Sequence, residues 1–63
     1  MNQHPSPEAC TRAATLYLQA ARDYEQAARD ADRLGHHQRA NAHRDRAAAH
    51  RALANDCHTA VTQ

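Results

Sequence analysis

The sequence predicts an all-α fold: an antiparallel two-helix hairpin with an alanine-rich heptad seam, suited to dimerise into a four-helix bundle. Two rows of residues and one glycine carry that reading. Cys10, Ala13, Tyr17, Ala20, Tyr24, Ala27, Ala31 and Leu34 recur in alternating steps of three and four, the spacing that keeps side chains on one face of an α-helix. The same steps return in His36, Ala40, His43, Ala47, His50, Ala54, Cys57 and Val61. Gly35, the single glycine, separates the rows and suits the left-handed position after a helix C-terminus.

Residues 1–5 are expected to form a disordered tail, and residues 6–63 the hairpin. Ser6, Pro7 and Glu8 make a helix start: a hydroxyl cap, a proline at the first helical position and an acid favourable to the dipole. Helix one should run from about 6 to 34, since no glycine or proline interrupts it. A second row, Ala14, Ala21 and Ala28, widens its apolar face for more than one neighbour. Its outer side carries Arg12, Gln19, Arg22, Gln26, Arg29 and Arg33, with Glu25 placed to pair with Arg29 four residues on. The turn falls at 35–36. Helix two should span about 37–60, with His37, Asn41, Arg44, Asp45, Arg51, Asn55, Asp56 and His58 facing solvent. Arg39 and Arg46 lie on its inner flank, beside His43 and His50.

Two registers compete. With facing numbers summing to 67, Cys10 meets Cys57, Tyr17 meets His50 and Tyr24 meets His43. With a sum of 71, Tyr17 meets Ala54 and Tyr24 meets Ala47. The second sets each large side chain against a small one and centres the turn on Gly35 and His36, so 71 is preferred. It leaves Cys10 and Cys57 offset by a helical turn, too far apart for a disulfide.

Composition limits what such a chain can bury. Sixteen of its 63 residues are alanine, and there is no Ile, Phe or Trp. Alanine favours helix but contributes little burial, so a staple or a second copy is needed. The net charge of +1 gives no strong overall bias. No signal-like segment or membrane-length apolar run is visible, so a cytoplasmic, reducing setting with free thiols and no membrane association is expected.

Chemistry-bearing residues are few. His36, His43 and His50 stand seven apart with Cys57 next in the row, and each step rises about 10 Å at ~1.5 Å per residue. Chelation by one helix needs ligands three or four apart, so His43, His50 and Cys57 are weak metal candidates that would require ligands from different helices. Cys57 and His58 point about 100° apart on a helix, with no phosphate loop or oxyanion-forming turn nearby. No enzyme activity and no cofactor are expected. Tyr17 and Tyr24 read as core rather than as a base-stacking platform.

All eight basic residues apart from histidines are arginines. Arg44, Arg51, His37 and His58 form a basic stripe along the outer face of helix two, with Arg39 and Arg46 on its flank, and Asp45 and Asp56 interrupt it. A short dimeric helical hairpin of this kind resembles, in architecture, the Rop-type plasmid copy-number regulators. No motif is shared, so no residue role carries over; the resemblance implies nucleic-acid binding, with Arg39, Arg44, Arg46 and Arg51 as its candidates. The preferred expectation is a non-enzymatic interaction or regulatory module that acts through homodimerisation and binding of a protein partner. Leu16, Leu18, Leu53, Ala21 and Ala28 are the expected dimer interface.

Overall fold

The computed structural model describes residues 6–62, with side chains as far as Thr59. The tail expected at 1–5 and the burial of Val61 lie outside the described residues. Two helices pack against each other: α1, Pro7–Arg33, and α2, His37–Thr62.

Each end of α1 is set by the residues that mark it in the sequence. The Ser6 hydroxyl accepts from the Ala9 backbone N–H at 3.1 Å, with Pro7 in the first turn, which satisfies one of the donors a helix start leaves open. At the other end, His36 N–H donates to the Ala31 carbonyl at 2.8 Å and Gly35 N–H to that of Asp32 at 3.0 Å. Those two bonds are the Schellman arrangement. Gly35 supplies the positive φ it needs, +80°. A methyl group added at Gly35 would meet no neighbouring atom, so the cost of Gly35→Ala is purely that of a left-handed backbone, roughly 1–2 kcal/mol. Urea unfolding at fixed protein concentration should show that loss; an unchanged midpoint would mean that the turn relaxes to another form.

This turn removes two residues from the expected seam. Leu34 becomes the C-cap and is exposed, and His36 is exposed too, its carbonyl accepting from Ala40 N–H at 3.0 Å. Both are committed to the backbone of the reversal rather than to the helix interface.

Among the described residues, those buried are Cys10, Ala21, Ala28 and Ala31 on α1 and Ala40, Ala47 and Ala54 on α2. On α2 these alanines belong to the expected row. On α1 the centre is displaced by one residue: Ala21 and Ala28 are each 1% exposed, while Ala13, Ala20 and Ala27 are only half-buried. Cross-helix contacts straddle a sum of 71. The clustered, buried Ala31 and Ala40 have that sum, the ring pairs Tyr17–His50 and Tyr24–His43 give 67 on one flank, and the ion pairs Asp32–Arg44 and Glu25–Arg51 give 76 on the other. The ring partners of Tyr17 and Tyr24 are thus His50 and His43, those of the register not preferred, instead of the expected Ala54 and Ala47. The tyrosines flank the seam rather than fill it, and the centre is alanine against alanine. Cys10 and Cys57 are free thiols that line one cavity near the open end.

Candidate interaction surface

The hairpin has two unlike sides. On one, Tyr24 lies between two imidazoles, its ring centroid 6.1 Å from that of His43 in a stacked pair and 5.2 Å from that of His50. Tyr17 meets His50 edge-on at 6.0 Å. His50 Nδ1 donates to the Arg46 carbonyl one turn back, at 2.8 Å, which fixes its tautomer when neutral and leaves Nε2 as the ring's acceptor. His43 Nδ1 is shut away from solvent without a hydrogen-bond partner; in the neutral ring, a proton on Nε2 makes that atom a bare acceptor rather than a stranded donor. The Arg46 guanidinium carbon stands 6.0 Å from the Tyr24 centroid, within cation–π reach.

Leu16 and Leu53 extend this side outward. Leu16 precedes Tyr17 and lies four residues before Ala20, and Leu53 lies three residues after His50, so helical geometry puts both on the tyrosine side. They are 63% and 43% exposed. Leu18 belongs elsewhere. Positions i and i+2 on a helix, such as Leu16 and Leu18, are about 200° apart, and Leu18 lines a groove with Arg51, Ala54 and His58 on the opposite side. The five residues expected at a dimer interface are therefore not one surface: Ala21 and Ala28 are buried against α2, Leu18 faces away, and Leu16 and Leu53 share a side.

The opposite side is ionic. Asp32 accepts from His37 Nδ1 at 2.9 Å and from Arg44, and Glu25 pairs with Arg51 across the helices. Glu25 thus reaches α2 rather than the expected Arg29, which donates instead to Gln26 Oε1 at 2.8 Å. Asp32 also brings a carboxylate to the N-terminus of α2, where it favours the helix dipole and where the first turn has no acid of its own.

Hydrogen bonds from His37, and then from Arg44, hold the Asp32 carboxyl below its ordinary value of 3.8. On acidification the unfolded chain takes up this proton first. The contribution to stability is therefore complete above the unfolded value, about 3.9, and is lost as pH falls through the lower folded value. Asp32→Asn should destabilise at neutral pH, and the gap to the parent should narrow below that window. Urea midpoints at both pH values check this; a gap that stays constant would remove the titrating carboxylate from the explanation.

The other site candidates are dispersed. His43, His50 and Cys57 remain seven residues apart along one helix, and among the described residues no group of three or more His, Cys, Asp or Glu side chains is placed to hold a metal ion. The four arginines of the basic stripe are divided: Arg44 and Arg51 pair with acids on the ionic side, whereas Arg46 lies over Tyr24, with Arg39 two turns before it. No described helix is long and apolar enough to cross a membrane. No family model, curated protein or solved structure matches this chain.

Proposed function

We propose that the chain is a small non-enzymatic interaction module that works as a homodimer, two hairpins joining through their tyrosine sides into a four-helix bundle. The observation that carries this reading is the contrast between core and surface. No buried side chain of the described residues is larger than cysteine, while Leu16, Leu53 and the half-buried tyrosines occupy one side of the rod. Alanine burial contributes far less than the ~1.5–3 kcal/mol of a leucine or valine, so a single hairpin is marginal.

Shape supports the same reading. The radius of gyration is 14.5 Å, against roughly 10.6 Å for a compact chain of this length. With extents of 50 by 18 Å, one side offers on the order of 900 Å², close to the ~800 Å² each partner contributes to a standard interface. Charge is compatible as well. Arg39 and Arg46 rim the tyrosine side on α2, and a two-fold pairing would bring them toward Asp23 and Asp30 of the second copy. The bundle would in turn present its outer faces to a protein partner.

Sedimentation equilibrium over a concentration series tests the pairing. A mass twice the 7.0 kDa of the chain is expected at micromolar concentration, with helicity falling on dilution. A cooperatively melting, fully helical monomer at nanomolar concentration would overturn it.

A further inference from the structure

We propose that the ionic side carries an anion site for one phosphate group, built from Arg29, Arg44 and Arg51. The three line a single cavity of about 280 Å³, together with Glu25 and a floor of Ala28 and Ala47. The site lies on the side opposite the tyrosines, so it does not depend on the pairing proposed above.

Its origin is the diversion of Glu25. On an isolated α1, Glu25 would neutralise Arg29 four residues on. In the hairpin Glu25 crosses to Arg51, and Asp32 crosses to Arg44. Arg29 is left with a neutral amide, Gln26 Oε1, as its partner. Around the cavity three guanidiniums are thus set against Glu25 in the lining and Asp32 behind Arg44, leaving a net positive charge. The buried alanines of the floor are 1% and 2% exposed and carry no bulk to fill the space between the arginines.

Guanidinium groups bind phosphate oxygens through paired N–H donors, and do so more strongly than neutral donors. The carboxylates already present are modest competitors, because both ion pairs are solvent-exposed: Arg44 and Arg51 are 49% and 54% exposed at their side chains, and such pairs contribute little. A phosphate dianion carries more charge than either carboxylate and can be shared among all three arginines. The cavity accepts one such group rather than a chain of them. Arg44 and Arg51 are two turns apart, and on α2 their row continues to His37 and His58 rather than to further arginines; on α1, Arg33 is paired with Asp30, and neither it nor Arg22 lines the cavity. The ligand class is therefore a free phosphate or the terminal phosphate of a small monoester.

The test is a titration of the full chain with inorganic phosphate at constant ionic strength, following the arginine Nε–H resonances by NMR. Saturable shifts are expected at Arg29, Arg44 and Arg51, with Arg12 and Arg39 unmoved. Arg29→Gln keeps helix propensity nearly unchanged and should weaken the midpoint at least fivefold; circular dichroism of the variant confirms that the fold is retained. Phenyl phosphate should bind as inorganic phosphate does if the source is a monoester, and more weakly than inorganic phosphate if the site takes the free ion; either result supports the site. Uniform shifts at all arginines, or an Arg29→Gln midpoint equal to the parent's, would overturn it. Tighter binding of single-stranded RNA than of phenyl phosphate, at equal phosphate concentration, would also overturn the single-phosphate site, in favour of a surface that follows a nucleic-acid backbone.

Discussion

On the proposed tyrosine-side pairing, Leu53→Asp should yield a monomer at concentrations where the parent is expected to sediment as a dimer. Leu53 occurs once per chain, so a two-fold interface loses it twice. Leu53 is 43% exposed in the hairpin, so pairing buries under half of each side chain and losing two copies removes roughly 1.3–2.6 kcal/mol. Placing two carboxylates there adds a larger desolvation penalty. At about 1.4 kcal/mol per tenfold change, the dissociation constant should rise by at least a hundredfold. Leu16→Asp should act in the same way from the other helix. Leu18→Asp is the decisive control. It carries the same loss of helix propensity and is exposed to the same 43% as Leu53, yet it faces the Arg51 groove on the opposite side. It should leave the sedimenting mass unchanged. If Leu18→Asp dissociates the protein and Leu53→Asp does not, the hairpins pair through the ionic side, and the tyrosine side belongs to another partner.

The elements of the hairpin were legible because their signals are local. A hydroxyl followed by proline starts α1, a lone glycine ends it, and the Ala40, Ala47 and Ala54 row marks the inner face of α2. The centre of the α1 face was not legible, because two alanine rows, one residue apart, have identical spacing. Periodicity identifies the broad face they share but cannot rank them. The ranking comes from long-range partners: Glu25 and Asp32 reach Arg51 and Arg44, and the tyrosines rest against His43 and His50 on the other flank. Between those flanks, Ala21 and Ala28 are central. The same partners explain why Glu25 leaves Arg29. They also divide the basic stripe, since only a packed hairpin reveals which arginines face acids and which face Tyr24. Leu34 and His36 fit the heptad spacing but are claimed by the turn, whose hydrogen bonds outrank side-chain periodicity.

Ala28→Leu should be far more damaging than Ala27→Leu, although the two substitutions are chemically identical and adjacent. Ala28 clusters with Ala31 and Ala40, and Ala40 is 0% exposed. Three added carbon atoms at that point have no room among the alanines of the seam, and their outlet is the cavity that Ala28 floors between Arg29, Arg44 and Arg51. Overpacking of this kind costs about 1–3 kcal/mol in an ordinary core, and a loss within that range is expected here. Forcing the helices apart also lengthens the reach of Glu25 to Arg51 and of Asp32 to Arg44. At Ala27, on the half-buried flank, the added side chain has a path to solvent and lies toward the side proposed to meet a second copy. Its effect should remain below about 1 kcal/mol, the scale of a surface change or a small gain in apolar burial. Urea unfolding of both variants at one protein concentration, with unchanged slope, reads the difference directly. Equal losses, or a larger loss at Ala27, would place the Ala13, Ala20 and Ala27 row at the centre of the interface and move the two flanks with it.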